Sequence, residues 1–229
     1  MGRAIALYSG GKDSHYAIIR SLYRGIVTEA LVVAVPSRAD SWLFHAVNTP
    51  WCRLHGEAMG VPTYFIPVSG VRDAEGVEFA RGLSRVLSNH PDVDYLITGA
   101  VRSNYQLERF EALSEELGLR LLAPLWGLDE LELLRAELEE LAFLVTAVQA
   151  YCLDPDVLGN PLASEVYRLL VKAHMECGVS LVGEGGEFET FVTRSPLFRG
   201  AAVVINRATK VVRPTEFSGY FLIEGAELM

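Results

Sequence analysis

The chain has 229 residues, half of them hydrophobic, and a formal net charge of −9. This length allows one large domain, or one and a half, with enough apolar side chains for a sizeable core. The acidic balance makes a broad nucleic-acid-binding face unexpected, and no apolar run approaches the ~20 residues of a membrane span.

The first predicted strand begins near residue 4, so we expect no signal peptide. The three cysteines, Cys52, Cys152 and Cys177, lie far apart and form no C-x-x-C pair. This spacing indicates reduced thiols in a cytoplasmic protein rather than a thiol relay or a structural zinc site.

Strand and helix patterns alternate through the first half of the chain. The predicted strands are residues 4–8, 30–35, 63–68, 94–99 and 119–123, and the predicted helices are residues 14–24, 49–59, 73–88 and 103–117. Apolar strands that alternate with helices predict an α/β fold, in which a parallel sheet is flanked by helices. Ligands of such sheets bind beyond the carboxyl ends of the strands, so the loops that follow the strands are the places to examine.

The pattern changes after residue 126. The predicted elements there are a Leu/Glu-rich helix at 128–141, a strand at 142–149, a helix at 160–177, short strands at 179–182 and 191–192, and a closing hairpin of 201–206 and 210–213. We therefore expect a smaller C-terminal α/β subdomain, residues 126–229, after a first domain of residues 1–125. The acidic run at 129–140 is interpreted as a solvated helix face without a functional role.

The first chemical motif is Ser9-Gly10-Gly11-Lys12-Asp13-Ser14, here called the glycine-rich loop, which follows a strand and opens a helix. Its glycines let backbone N–H groups approach an anion, while Lys12 and the helix N-terminus add positive charge. Ser14 is predicted to cap that helix. The alternative is an ordinary Gly-Gly turn, but all six positions in this context favour a nucleotide phosphate site.

The glycine-rich loop does not fit the Walker A pattern G-x-x-x-x-G-K-[ST]. When the two are aligned on Gly11 and Lys12, Ala6 stands at the first glycine and Asp13 at the hydroxyl residue. We therefore do not expect the γ-phosphoryl transfer that Walker loops support.

The second motif is the acidic loop, residues 183–190, with the sequence Gly-Glu-Gly-Gly-Glu-Phe-Glu-Thr. Three crowded carboxylates repel one another unless a cation or hydrogen-bond donors offset their charge. Glu187 and Glu189 would project the same way from an extended segment. A solvated loop is the alternative, but the glycines and the apolar flanks favour a site for Mg²⁺, ammonium or a substrate cation.

A third motif follows the fourth predicted strand. Gly99 can lie close to a nucleotide, and Ser103 is a natural N-cap. Gln106 and Tyr105 each lie within one helical turn of Arg109, which could bind a phosphate or carboxylate bidentately. A capped helix with a surface arginine explains this segment equally well.

The histidines give a weaker signal. His45 and Asn48 follow the second strand, but a lone histidine is usually structural. The others show no metal-ligand spacing and are interpreted as non-catalytic; they are His15, His55, His90 and His174. A Mg²⁺ that arrives with ATP needs few protein ligands.

Together these segments resemble the diphthine–ammonia ligase family, a branch of the PP-loop ATP pyrophosphatases. The matching motifs are S-G-G-K-D-S at 9–14, F-H-x-x-N at 44–48, G-A-x-x-S-x-Y-Q-x-x-R at 99–109, P-L-W at 124–126, G-E-G-G-E-F-E-T at 183–190 and S-P-L-F at 195–198. The resemblance spans most of the chain and is most selective in the third motif and the acidic loop. It implies an adenine nucleotide alpha-hydrolase-like PP-loop domain with a C-terminal substrate-binding subdomain, in a compact, archaeal-type member.

The resemblance also implies a reaction, the last step of diphthamide synthesis. ATP would activate the carboxylate of diphthine, a modified histidine of translation elongation factor two, as an acyl-adenylate with release of pyrophosphate. Free ammonium would then displace AMP. The implied cofactors are ATP and Mg²⁺, the implied partner is the elongation factor, and a homodimer stays open; nucleic acid and membrane are not expected as partners.

The resemblance assigns residues to these roles. Lys12 and Asp13 would be catalytic, and Asp13 would also position Mg²⁺. The ATP-binding set would be Ser9, Gly10, Gly11, Lys12, Asp13, Ser14, His45, Gly99 and Ala100. The substrate-binding set would be Asn48, Ser103, Tyr105, Gln106, Arg109, Glu184, Gly185, Gly186, Glu187, Glu189 and Thr190. The three glutamates of the acidic loop would meet ammonium or the trimethylammonio group of diphthine.

Two other readings stay open. The chain could be a PP-loop enzyme that adenylates a small carboxylic acid or a tRNA base, although the acidic charge and the absence of C-x-x-C argue against tRNA thiolation. It could also be a non-catalytic ATP-binding module, against which the intact Lys12–Asp13 pair argues.

Overall fold

The computed structural model describes residues 2–37, 47–71 and 74–229. The N-terminal half forms a five-stranded parallel sheet with helices packed on it, which confirms the predicted α/β fold. The strands are β1 (Gly2–Leu7), β2 (Ile26–Pro36), β3 (Thr63–Val68), β4 (Tyr95–Ile97) and β5 (Arg120–Leu122). The helices are α1 (Lys12–Leu22), α2 (Cys52–Met59), α3 (Glu75–Leu87) and α4 (Asn104–Glu116).

The central strand β1 is buried on both faces. Ala4 and Ala6 belong to one apolar cluster, whereas Ile5 and Leu7 belong to a second cluster that contains Phe79 of α3. This alternation follows from the period of two along a strand, and it explains the continuous apolar run in the sequence.

The strand order is β3-β2-β1-β4-β5. The chain builds outward from β1 to β3 and then returns to the other side of β1, so the direction of winding switches between β1 and β4. Parallel sheets bind ligands in the crevice at such a switch point. The segments that follow β1 and β4 are the glycine-rich loop and the third motif, and the topology brings them together.

The C-terminal half contains a separate four-stranded antiparallel sheet of order β7-β6-β9-β8. Its strands are β6 (Ala142–Gln149), β7 (Phe188–Arg194), β8 (Val203–Arg213) and β9 (Ser218–Leu228), and its helices are α5 (Glu130–Glu140) and α6 (Ala163–Cys177). One apolar cluster runs through both halves, from Ala6 of β1 to Val145 of β6 and Phe191 of β7. The two sheets therefore share a core.

The predicted closing hairpin was wrong. Residues 201–213 do not fold back on themselves; β8 continues through the polar residues Asn206 and Arg207 and pairs with β9. β8 lies at the edge of its sheet, and Asn206 and Arg207 in its middle are exposed, so these polar residues do not mark a turn.

The predicted strand at 179–182 was also wrong. Its backbone N–H groups bind side chains instead of a neighbouring strand: Ser180 N–H donates to Glu187 Oε1 at 3.3 Å, and Leu181 N–H donates to Glu130 Oε2 at 2.7 Å. The segment is apolar because it is buried, not because it joins a sheet.

The expectation of three reduced cysteines is corrected. Cys152 and Cys177 form a disulfide, whereas Cys52 is free and buried. Packing of α6 beside β6 brings the turn after β6 next to the end of α6, a proximity that the separation of 25 residues in the sequence conceals. Within the described ranges, no helix is both long enough and apolar enough to cross a membrane.

Candidate functional site

The glycine-rich loop makes a tight turn into α1. Gly10 has a φ of +85°, and a Cβ at this position would lie 2.8 Å from the Sγ atom of Cys52, so glycine is required on both counts. The helix begins at Lys12 with Gly11 as its N-cap. Ser14 is therefore not the N-cap that was predicted; it lies inside the first turn, where its hydroxyl donates to the carbonyl oxygen of Gly11 at 3.0 Å.

Strand β7 fixes this loop from the other half of the chain. The hydroxyl oxygen of Thr190 accepts a hydrogen bond from Lys12 N–H at 3.0 Å, and Val192 N–H donates to the Gly10 carbonyl at 3.0 Å. The end of the acidic loop and the glycine-rich loop are thus direct neighbours.

The third motif packs against the same turn. A Cβ at Gly99 would lie 2.6 Å from the backbone nitrogen of Ser14, so only glycine lets the end of β4 approach the first turn of α1. Ser103 caps α4 as predicted, since its hydroxyl accepts from Gln106 N–H at 3.3 Å. The Arg109 guanidinium lies 3.4 Å from the centre of the Tyr105 ring, so these side chains share a face.

A cavity of about 880 Å³ lies between the three motifs, within the size range of small-molecule sites. The motif residues in its lining include Ser9, Gly11, Asp13, Ser14, Gly99, Ala100, Ser103, Tyr105, Gln106, Glu184, Gly185, Gly186, Glu189 and Thr190. Its apolar lining includes Leu7, Val32, Ala34, Phe79 and Phe110.

Several candidate residues lie away from the described cavity lining: Gly10, Lys12, Asn48, Arg109 and Glu187. The Asn48 side chain instead holds β9, because its amide donates to the Phe221 carbonyl and its oxygen accepts from Ile223 N–H, both at 2.9 Å. His45 lies outside the described residues.

Lys12 is fully buried and points toward the C-terminal half. Its Nζ atom lies 2.6 Å from Asp13 Oδ1 and 3.0 Å from Glu137 Oε2 of α5. Burial alone would lower the pKa of Lys12, but the charges of Asp13 and Glu137 raise it above its ordinary value. Burial, together with the nearby Asp13 charge, raises the pKa of Glu137 well above its usual range, and Lys12 opposes this effect.

The interpretation of residues 129–140 as a solvated face is therefore corrected. Glu137 is fully buried, and Glu130 Oε2 accepts hydrogen bonds from Leu181 N–H and from the Ser180 hydroxyl. A signal was present in the sequence: Glu137 lies four residues after Leu133 and therefore on the apolar stripe of α5.

The three glutamates of the acidic loop lie in different environments. Glu184 Oε1 accepts from three consecutive backbone N–H groups, those of residues 101, 102 and 103, at 3.2, 2.8 and 2.6 Å. Glu187 Oε1 accepts from Ser180 N–H, and Glu189 lines the cavity. Glu184 thus ties the acidic loop to the start of α4.

Two histidines interpreted as non-catalytic form a buried chain behind the glycine-rich loop. The Val192 carbonyl can only accept, so His55 donates to it through Nε2 at 2.8 Å, and the neutral His55 ring accepts from the Tyr8 hydroxyl at Nδ1, 2.7 Å away. Tyr8 then accepts from His15 Nδ1, and His15 Nε2 accepts from the Ser195 hydroxyl. Burial lowers the pKa of His15 well below its usual value and that of His55 to about 4.

No group of three or more His, Cys, Asp or Glu side chains in the described part of the chain is placed to hold a metal ion. An ion bound beside Asp13 would need water and phosphate oxygens to complete its ligands, which is the usual arrangement for Mg²⁺ with a nucleotide.

Comparison with known proteins identifies the family. The model of the diphthamide synthase N-terminal domain matches residues 2–121, and that of the C-terminal domain matches residues 129–229. The chain belongs to the diphthamide synthase family. Diphthamide synthase relatives named diphthine–ammonia ligase include those of Mus musculus and Danio rerio, each 32% identical; the matches cover 88% of this chain and 82% and 86% of the respective relatives.

A longer relative of the same name, from Schizosaccharomyces pombe, is 30% identical over 90% of this chain, which spans 36% of that protein. A solved structure from Methanocaldococcus jannaschii, described as a predicted subunit of tRNA methyltransferase, matches with a TM-score of 0.45 and 16% identity. That match covers 86% of this chain and 98% of the other, and at this distance it carries no conclusion about function.

Proposed function

We propose that this chain catalyses the ATP-dependent amidation of diphthine on translation elongation factor two, the last step of diphthamide synthesis. One observation carries the proposal: the glycine-rich loop, the third motif and the acidic loop, far apart in the sequence, meet around one cavity. The names of the curated relatives support the same reaction.

In the first half-reaction, a diphthine carboxylate oxygen attacks the α-phosphorus of ATP, and the bond to the departing pyrophosphate breaks. The resulting acyl-adenylate has AMP as a leaving group, whereas a bare carboxylate would have to expel oxide. In the second half-reaction, the ammonia nitrogen attacks the acyl carbon, the bond to AMP breaks, and a proton leaves the nitrogen. Negative charge builds on phosphate oxygens in both, so donors directed at those oxygens accelerate the reaction.

We assign nucleotide binding to residues 1–125 and acceptor binding to residues 126–229, with the third motif facing both ligands. Within the cavity lining, the ATP-binding set is Ser9, Gly11, Asp13, Ser14, Gly99 and Ala100. Gly10 makes the turn possible, Lys12 supplies charge from behind the loop, and His45 stays a prediction. Asp13 would hold a Mg²⁺ ion, which would supply positive charge near the phosphates when bound.

On the acceptor side, we assign Ser103, Tyr105, Gln106, Gly185, Gly186, Glu189 and Thr190 to substrate contact. Glu184 and Glu189 both line the cavity, but Glu184 Oε1 already accepts from three backbone N–H groups, so Glu189 is our choice for the carboxylate that meets ammonium or the trimethylammonio group. Glu184 and Glu187 accept backbone hydrogen bonds, so they shape the acidic loop that carries Glu189. Asn48 acts by holding β9, and Arg109 acts by packing on Tyr105; neither is assigned a direct contact with the substrate.

The deciding experiment incubates the protein with diphthine-bearing elongation factor two, ATP, Mg²⁺ and ammonium. We expect AMP and pyrophosphate in equal amounts, together with the mass change of an acid converted into an amide. Both products should depend on the elongation factor and on ammonium. AMP formation with a small carboxylic acid or a tRNA instead would favour another adenylating enzyme, and nucleotide binding without turnover on any substrate would favour a binding module.

A further inference from the structure

The buried ion pair between Lys12 and Glu137 joins the two halves of the molecule behind the cavity wall. Lys12 opens α1 directly after the N-cap, whereas Glu137 lies near the end of α5, and both side chains have no exposed surface. Asp13, which also bonds Lys12, keeps about a fifth of its side chain exposed (22%) and lines the cavity. Lys12 therefore stands between a carboxylate in the cavity wall and a carboxylate behind it.

A buried glutamate at this position is costly unless it has a specific partner. Its neighbours on the same face of α5, Leu133 and Leu134, are apolar, and a third leucine would fill such a site without the desolvation cost of a carboxylate. The helix has other anchors, since Asp129 caps it and Glu130 binds the segment before the acidic loop. Glu137 is thus not needed simply to fasten α5.

We propose that Glu137 is a positioning residue for the nucleotide site, one that holds Lys12 from behind and so leaves the Asp13 carboxylate available to the cavity. A buried lysine requires a counter-ion at every stage of a reaction. When a cation or the nucleotide engages Asp13, Glu137 remains as the partner of Lys12. Without Glu137, Asp13 becomes the sole counter-ion of Lys12 among these three groups and is withdrawn from the nucleotide.

The inference rests on the proposed function only in that ATP is the ligand. The test measures Mg²⁺-dependent ATP binding by calorimetry without any acceptor, so it stays informative if the ligase assay fails. The variants are Glu137→Gln, which keeps the size and an acceptor oxygen, and Glu139→Gln, a matched control at an exposed position of α5. Circular dichroism and urea midpoints establish that each variant is folded.

We expect Glu137→Gln to weaken ATP binding about tenfold, as the loss of a supporting partner does at other sites, and Glu139→Gln to leave it unchanged. Binding by Glu137→Gln within twofold of the wild type would overturn the proposal. Should that variant not fold, Glu137→Asp replaces it, because a shorter carboxylate keeps the charge but retreats from Lys12; unchanged ATP binding would then overturn the proposal.

A double-mutant cycle separates positioning through Lys12 from a general structural effect. If Glu137 acts through Lys12, adding Glu137→Gln to Lys12→Met produces little further loss of ATP binding, because the residue being positioned is already gone. Independent effects that multiply in the double variant would show that Glu137 acts elsewhere. Absence of ATP binding by the wild-type protein would overturn both this inference and the proposed function.

Discussion

The hydroxyl oxygen of Thr190 accepts a hydrogen bond from the backbone N–H of Lys12 at 3.0 Å, although 178 positions separate the two residues. The first turn of a helix leaves N–H groups without partners inside the helix, and here β7 supplies one. The acidic loop ends at this contact, so its position and that of the glycine-rich loop are coupled. A change in the C-terminal half should therefore affect nucleotide binding.

Replacing Thr190 by valine tests this coupling. Valine keeps the shape but removes the acceptor, which leaves a buried N–H group unpaired at a cost of about 1–3 kcal/mol. We expect a lower urea midpoint and weaker ATP binding by calorimetry, with both restored in Thr190→Ser. Thr193→Val is the matched control on β7, since the hydroxyl of Thr193 donates to the carbonyl oxygen of Ala142 in an exposed hydrogen bond. Equal effects of the two valine variants on ATP binding would contradict the coupling.

Gly10→Ala tests the turn itself. The left-handed backbone and the close Sγ atom of Cys52 both oppose a Cβ, so we expect a loss of about 1–3 kcal/mol in the free energy of unfolding. Gly76→Ala is the control. Gly76 lies in α3, where no atom of the described residues, apart from the neighbouring backbone of the helix itself, lies within 4 Å of the added Cβ, and alanine favours helix by up to about 1 kcal/mol. Chemical denaturation measures both, and a Gly10→Ala variant as stable as the wild type would show that the turn relaxes easily.

The buried chain through Tyr8 predicts acid sensitivity. Burial lowers the pKa of folded His55 from 6.5 to about 4, so protons bind the unfolded chain first. The neutral, buried His55 therefore contributes to the free energy of unfolding. This contribution is fully present above pH 6.5 and is lost as the pH falls toward 4, by about 1.4 kcal/mol per pH unit, or about 3 kcal/mol in all. His15, whose pKa is also lowered by burial, acts in the same direction.

Urea midpoints between pH 7.5 and 4.5 measure this effect. Carboxylates titrate in the same range, so the informative quantity is the difference between the wild type and His55→Gln, which keeps a donor for the Val192 carbonyl. We expect a shallower decline in the variant, whereas His174→Gln, at a partly exposed position, should follow the wild type. If the urea midpoints of the wild type and of His55→Gln fall in parallel as the pH is lowered, His55 is not the source of the acid sensitivity.

The sequence predicted the first sheet well because its central strands, β1 and β2, are largely buried apolar runs, and because each strand is preceded or followed by a helix. The prediction failed at residues 179–182 and in β8, where burial and strand formation do not coincide. Residues 179–182 are largely buried but do not form a strand, whereas β8 is a strand with exposed polar residues in its middle. The hydrophobic pattern of a sequence indicates which residues are buried. It indicates strands only where the buried residues also form a strand.

For the site, the motifs were recognisable but their partners were not. Glycine spacing revealed the turn at Gly10, because backbone conformation is a local property. The Lys12–Glu137 pair depends on how α5 packs against α1, and the Glu184 contacts depend on where the acidic loop meets α4. Such contacts join distant segments. The position of Glu137 on the apolar stripe of α5 therefore indicates that Glu137 is buried, but not that Lys12 is its partner.

The acidic loop provides the last prediction, because its glutamates make different contacts. Glu189 lines the cavity, so Glu189→Gln should reduce use of diphthine-bearing elongation factor about tenfold or more while ATP binding changes little. Glu187→Gln keeps an oxygen that can accept from Ser180 N–H, so we expect a smaller loss of activity with the elongation factor. The sequence of the acidic loop alone does not distinguish Glu187 from Glu189 in this role. Kinetics with varied elongation factor and, separately, varied ammonium identify which cation Glu189 meets. A larger defect in Glu187→Gln than in Glu189→Gln would place the cation site behind the loop rather than in the cavity.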